Sequence, residues 1–379
     1  MKDKKTFIYL LILSTFLLSM MALLAYADTG ITTNARSSAL YNPDTNSFLY
    51  QYNADIQLPM ASTTKIVTAL IAIENLDLNE VVRVPKEAVG IEGSSLYLKE
   101  NDEISVKDLI YSVLLQSAND AATVLALRVS GNISDFALRM TERVASVGAI
   151  NTQFKNPHGL DDKEHYTTAH DMALITADAL SNNIFKTICS TKKYSFKIGE
   201  SIRTIVNHNK LLSSYKDCIG VKTGYTKRSG RCLVSAAEQN GVRLIAVTLD
   251  DPDDWNDHKN MLNYGFTIVE SINLNPIVKL PDCLPTISAD GSSLQIKLSK
   301  NTIVKYKGSS IDYHIDLPTY IDTDVNAGDK IGTLHLKIDN QSETIDIIAQ
   351  HDLKIKKYKR QFFYKEMFTP WKKSDFRNI

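Results

Sequence analysis

Apolar residues crowd the segment from Ala61 to Glu74, and Ser62-Thr63-Thr64 opens it with side chains suited to a helix start, so a helix is expected there. Val106 to Val129 is a second helix-rich stretch, with Leu109, Ile110, Val113, Leu114 and Leu125 among its apolar positions. Ile133 to Val147 and Thr168 to Leu180 read as further helices. In the latter, Asp171 follows Thr168 by three positions, in the manner of a capping box. The pattern then changes. Arg231 to Ala237 and Val242 to Leu249 are β-rich runs on either side of Asn240-Gly241, which predicts a hairpin. Helices and strands so mixed predict an α+β arrangement, a sheet covered by helices.

Near residue 272 the period shifts to two. Leu294, Ile296 and Leu298 alternate with polar residues, as do Leu334, Leu336 and Ile338, and then Ile345 and Ile347, with Gly291, Gly308, Gly328 and Gly332 between them. That alternation marks half-buried strands and a small all-β domain over 271–350. The larger domain then spans 28–270, and no internal repeat is visible.

The two ends read differently. Lys2, Lys4 and Lys5 precede an apolar run from Phe7 to Leu24, and Ala25-Tyr26-Ala27 before Asp28 is a small-x-small cleavage pattern. Residues 1–27 are expected to be a signal peptide, with an uncleaved membrane anchor as the competing reading; either exports the remainder. The formal charge of zero hides an acidic body, because residues 352–379 hold nine Lys/Arg against three Asp/Glu. An acidic body is a poor nucleic-acid partner. The basic tail, 351–379, interleaves its cations with Tyr358, Phe362, Phe363, Tyr364, Phe368 and Trp371 and is expected to meet an anionic membrane surface. Soluble and docked tails are the alternatives. Cys189, Cys218, Cys232 and Cys283 contain no C-x-x-C pair, so they read as isolated thiols rather than a zinc site.

The chemistry concentrates in three short motifs. Ser62-Thr63-Thr64-Lys65 sets a hydroxyl and an amine three residues apart at a helix start, where they can touch. A serine hydroxyl needs a neighbouring base to become a nucleophile, and a lysine serves once burial or nearby cations lower its pKa. Alone, the motif is an ordinary helix start with a surface lysine. Ser117-Ala118-Asn119 and Lys222-Thr223-Gly224 follow in order, supplying a hydroxyl for proton transfer, an amide for substrate and a second cation on a strand whose glycine admits a ligand to the edge.

The ordered trio resembles the S-x-x-K, S-x-N, K-T-G set of penicillin-recognising serine enzymes. Pro59-Met60-Ala61 ahead of Ser62, Gln116 to Ala122, Asn156-Pro157-His158-Gly159-Leu160, Tyr166 to Ala169 and Lys222 to Thr226 are similar to the low-molecular-mass D-alanyl-D-alanine carboxypeptidases, peptidase family S11. The resemblance spans roughly 35–350 and implies a penicillin-binding-protein/β-lactamase-like catalytic domain followed by a small β domain. It implies a Ser62 acyl-enzyme with Lys65 as general base and Ser117 as proton relay. Asn119, Lys222, Thr223, Gly224, Tyr225 and Thr226 would bind substrate, and the N–H groups of Ser62 and Tyr225 would form the oxyanion hole. The partners implied are peptidoglycan stem peptides ending in D-Ala-D-Ala, with β-lactams as inhibitors and no cofactor or metal. One departure stands out: some relatives carry a carboxylate-binding arginine where this chain has Pro252-Asp253-Asp254-Trp255.

Other readings weigh less. His158, His170 and His208 have Asp and Ser neighbours, but Asn-Pro-His158-Gly reads as a tight turn and His170 as part of a helix's first turn. Asp250, Asp251, Asp253 and Asp254 read as a solvated loop rather than a cation site. A class A β-lactamase needs a deacylating glutamate, and Glu164 lacks the expected surroundings. A D,D-endopeptidase on the same scaffold differs only in leaving group. A non-catalytic wall-binding protein would have little use for three intact motifs.

Overall fold

Segments apolar on nearly every side must lie between other layers, and the run from Ile66 to Ala72 does so. Its residues are buried all round the helix Lys65–Asn75 (α1). The computed structural model describes residues 30–339 and 341–356. The expected signal peptide, 1–27, and the tail beyond residue 356 lie outside the described residues. The chain forms two compact units, divided between Val269 and Glu270.

The first unit is built on an antiparallel sheet of Ser37–Asn42 (β1), Ser47–Tyr52 (β2), Cys218–Thr226 (β3), Gly230–Gln239 (β4) and Val242–Leu249 (β5), in the order β2-β1-β5-β4-β3. The expected hairpin joins β4 to β5. Asn240 and Gly241 both take positive φ, 51° and 80°, the backbone that suits a two-residue turn between twisted strands. Alternation sorts the residues of β5. Ile245, Val247 and Leu249 enter the main core with α1, Asn119–Ser130 (α2), Ile133–Ala145 (α3) and Ala169–Ser181 (α4). On the other face, Leu244 and Leu40 meet Gly265 of Asp254–Ile268 (α5), so the sheet is covered on both faces.

Three expected helices change in detail. Ala61–Thr64 is a 3-10 turn and the α-helix begins at Lys65. The stretch from Val106 is broken: Val106–Tyr111 runs into a π-turn, Ser112–Gln116, and α2 starts afresh at Asn119. Thr168 caps α4 by accepting from the Asp171 N–H. The Asp171 carboxylate does not close a reciprocal box but accepts from the Asn151 N–H and the Thr152 hydroxyl.

The second unit holds a five-stranded antiparallel sheet in the order Cys283–Pro285, Ser293–Leu298, Gln341–Ala349, Lys330–Ile338, Ile311–Asp316. The alternation in the sequence becomes burial. Leu294, Ile296, Leu298, Leu334, Leu336, Ile345 and Ile347 form its own apolar cluster, and Ile338 packs against it half-buried. Among the described residues no helix is long and apolar enough to cross a membrane.

Candidate active site

Ala61 adopts φ 46° and starts the 3-10 turn that carries Ser62. In such a turn side chains i and i+3 eclipse, which stacks Ser62 against Lys65 more directly than an α-helix would. Lys65 Nζ lies 3.0 Å from Ser62 Oγ, 2.6 Å from Asn119 Oδ1 and 2.5 Å from the His158 carbonyl. Lys65 is fully buried. Burial pushes its amine well below the usual lysine value, the Lys222 cation pushes it further, and Asp120 opposes both. The two carbonyl-type acceptors match the two N–H bonds of a neutral amine, whose lone pair is then left for the Ser62 hydroxyl.

The turn is braced from several directions. Thr63 Oγ1 donates to the Met60 carbonyl and Thr64 Oγ1 to that of Ala61. Thr64 Oγ1 also lies 2.7 Å from His165 Nε2. The Lys155 N–H donates to His165 Nδ1, which assigns the ring proton to Nε2 and makes it the donor to Thr64. Burial holds His165 neutral, with its pKa lowered to about 4. Asn156 Oδ1 accepts from the N–H groups of His158 and Gly159, the tight turn expected there. Gly159 has φ 88°, and a Cβ on it would sit 1.9 Å from the Ala61 carbonyl oxygen. The ring of His158 is itself held neutral by burial, its pKa down to about 3, so the residue contributes its main-chain oxygen.

The second motif follows the π-turn. Ser117 takes φ 64°, a left-handed conformation unusual outside glycine, which ends the turn and separates it from α2. Asn119 then donates its N–H to the Ser94 carbonyl and its Nδ2 to that of Glu92. Asp120 accepts from the N–H groups of Leu96 and Leu98, both at 3.0 Å. The loop 92–98 is thereby tied to the start of α2. The Asn119 amide, expected to meet substrate, is engaged by Lys65 and Glu92.

The third motif lies on β3. Lys222 is buried, donates to the Thr223 carbonyl, and has its pKa lowered by burial to about 7. A Cβ on Gly224 would lie 3.0 Å from the Ser62 nitrogen, so the glycine lets this strand close on the Ser62 N–H. Ser62, Ser94, Ser117, His208, Lys210, Thr223, Gly224, Tyr225, Arg231, Cys232, Asp254 and Trp255 line one cleft of ≈ 420 Å³. The Thr226 hydroxyl is shared with Asp161 and Ser229 in the turn after β3, and Thr226, like Lys65, Asn119 and Lys222, is not among the lining residues.

Several features were not anticipated. The acidic cluster is not a solvated loop, because Asp251 and Asp254 are buried, as is Asp257 beyond it. Asp254 forks onto Arg231 through its Nε and Nη2. Asp257 accepts from the Asn34 N–H, and Asp251 Oδ1 from that of Asp253. Burial raises the Asp251 pKa to about 6. Asp254 and Asp257 lie in the first turn of α5, whose N-terminus favours negative charge there. Glu164 pairs with Lys155 at 2.8 Å, outside the cleft. All four cysteines are free, with Cys189 and Cys232 buried, Cys218 half-buried and Cys283 exposed. Among the described residues no three His, Cys, Asp or Glu side chains gather as metal ligands.

Comparison with known proteins gives consistent matches. Residues 25–253 match the family model Peptidase S11, D-alanyl-D-alanine carboxypeptidase. The D-alanyl-D-alanine carboxypeptidase DacF of Bacillus subtilis is 30% identical over 90% of this chain and 94% of its own length. Among solved structures, penicillin binding protein 5 from Haemophilus influenzae is 26% identical, with a TM-score of 0.64 over 85% of this chain and 98% of that one. The Streptomyces K15 DD-transpeptidase is 32% identical, with a TM-score of 0.60 over 62% of this chain and 98% of that one.

Proposed function

The chain belongs to the D-alanyl-D-alanine carboxypeptidases of peptidase family S11, and from that premise we propose that Ser62, Lys65 and Ser117 carry out its reaction. The enzyme is a serine-type D-Ala-D-Ala carboxypeptidase with the penicillin-binding fold. The observation that carries the residue assignment is the contact between Lys65 Nζ and Ser62 Oγ at 3.0 Å, with the amine's other partners being acceptors.

In this reading neutral Lys65 takes the Ser62 proton as Oγ attacks the carbonyl carbon between the two D-alanines. The oxyanion is held by the N–H groups of Ser62 and Tyr225, a role supported by the close approach of Gly224, the residue before Tyr225, to the Ser62 nitrogen. The tetrahedral intermediate collapses. The proton on Lys65 passes through the Ser117 hydroxyl to the leaving amine, and D-alanine departs. Water then attacks the acyl-enzyme and gives its proton to the same base, restoring Ser62 and freeing the shortened peptide. Thr223 and Lys222 attract the terminal carboxylate. The pattern of residues 1–27 supports export, and the cations and aromatic rings of the tail support its attachment to an anionic membrane surface.

The test combines adduct mapping with product analysis. Benzylpenicillin should leave one covalent adduct, on the peptide containing Ser62, and pentapeptide substrate should release free D-alanine. Ser62→Ala should abolish both, with turnover falling about 10⁴- to 10⁶-fold. An adduct on another serine, or a cleaved cross-bridge with no released D-alanine, overturns the assignment.

A further inference from the structure

A carboxypeptidase must distinguish a chain end from a chain interior, and the chemical difference is a free carboxylate in place of an amide. The nucleophile does not read that difference, so a group placed beyond the scissile bond must. A candidate follows from strand register. Thr223 and Tyr225, two apart on β3, share one face of the strand. Arg231 on β4 pairs directly with Tyr225, while Leu233 pairs with Thr223. Arg231 is therefore the diagonal neighbour of Thr223, about 7–8 Å away, within reach of a long side chain.

The guanidinium is fixed. Nε and Nη2 bond to Asp254, whose side chain is only 4% exposed, while that of Arg231 remains 41% exposed. Its Cζ lies 6.0 Å from the centroid of the Trp255 ring. Asp254 thus takes one edge of the fork and leaves Nη1 for a ligand. Arg231, Asp254 and Trp255 all line the cleft that holds Ser62 and Thr223. An arginine clamped in advance loses little side-chain freedom on binding and presents a planar donor set suited to a carboxylate. Lys222 offers a different kind of contact, since it is buried and committed to the Thr223 carbonyl.

We propose that Arg231, held by Asp254 and Trp255, binds the free C-terminal carboxylate of the substrate together with the Thr223 hydroxyl and so selects chain ends over chain interiors. The inference rests on Ser62 being the nucleophile of the same cleft. It gives β4 and the start of α5 a share in specificity.

The test compares a diacetyl-Lys-D-Ala-D-Ala peptide with its C-terminal amide in the full-length enzyme. The wild type should prefer the acid, and Arg231→Ala should lower kcat/KM for the acid about 10- to 100-fold while leaving the amide nearly unchanged. Arg231→Lys, which keeps the cation and loses the fork, should fall between. Because Arg231→Ala strands a buried carboxylate, the double variant Arg231→Ala/Asp254→Asn repeats the measurement without the orphan charge. A wild-type ratio near one, or an unchanged ratio in any of these variants, overturns the proposal. Endpoint labelling by benzylpenicillin separates the two levels of the argument. Full labelling of Ser62 with an unchanged acid-to-amide ratio defeats only the role of Arg231, whereas absent labelling of wild-type Ser62 defeats the catalytic assignment itself.

Discussion

The first unit buries ionisable groups and the second scarcely does. Lys65, Lys222, Asp120, His165, Asp251, Asp254, Asp257 and His258 are all withdrawn from solvent in the first. In the second, among the described residues, the buried polar and charged side chains are Ser288 and Lys305. Both units pack apolar clusters, the second from Leu, Ile, Val and Ala and the first with Phe, Tyr, Met and Cys added. The sharper difference lies in the charged groups that are tolerated inside them. A buried charge costs several kcal/mol unless it is paired or neutralised. The first unit meets that cost by lowering the Lys65 pKa, forking Asp254 onto Arg231 and capping Asp120 with backbone N–H groups. Violations of the usual core rules are concentrated where the chemistry is.

If the polar cluster of the first unit is a single preorganised device, a small steric change in its frame should act like the loss of a catalytic group. Gly159→Ala is the most severe such change, since the added methyl would lie 1.9 Å from the Ala61 carbonyl at a backbone φ of 88°. The turn must move Ala61 and Ser62 or shift the His158 carbonyl off Lys65. Acylation by benzylpenicillin should fall about 100-fold or more, the usual consequence of a displacement on the order of 1 Å at a reacting group. Stopped-flow acylation kinetics would measure it. A rate within a factor of a few of wild type would show that the frame is soft.

The next effect is in pH. In the proposed mechanism Lys65 acts as a base only when neutral, and its pKa is depressed, so acylation should rise with pH through that lowered value. In the same mechanism Lys222 attracts a carboxylate only when protonated, and burial brings its pKa to about 7, so the rate should fall again above that pH. The profile of kcat/KM is thus a bell, with each limb approaching a tenfold change per pH unit. Lys222→Ala should remove the alkaline limb, weaken binding about 10- to 100-fold and shift the acidic limb upward as a cation leaves the neighbourhood of Lys65. An unchanged profile in that variant would show that Lys222 serves neither role.

What could be read from the sequence follows the range of the interactions. Ser62 and Lys65 lie one turn apart, so their contact is visible in four letters. The Asn240-Gly241 turn and the alternation at Leu294, Ile296 and Leu298 are likewise local. The His158 carbonyl escaped notice because a backbone atom leaves no signature in residue type. Arg231 with Asp254 is a pairing across 23 positions that exists only once β4, β5 and α5 are folded. The interruption at Ser112–Gln116 carried no proline or glycine to announce it; the constraint is tertiary, through the bonds of Asn119 and Asp120 to the loop 92–98. The strands Ser37–Asn42 and Ser47–Tyr52 were missed for a related reason. The first is buried along its whole length, so the period of two that marks half-buried strands is absent.

The smallest effect on catalysis is expected from the largest change to the second unit's core. Ile347 is fully buried in the apolar cluster there, on the strand that pairs with both Lys330–Ile338 and Ser293–Leu298. Ile347→Ala removes methyl groups and leaves a cavity, a change that costs about 2–5 kcal/mol in well-packed interiors. The two clusters are separate, so denaturant unfolding should resolve two transitions, with the variant moving one of them. The acylation rate of Ser62, measured below the shifted transition, should stay within about twofold of wild type, as expected when the two clusters share no members. A rate that falls while the first unit remains folded would mean that the second unit supports the site, and the contrast between a unit that does chemistry and one that does not would have to be given up.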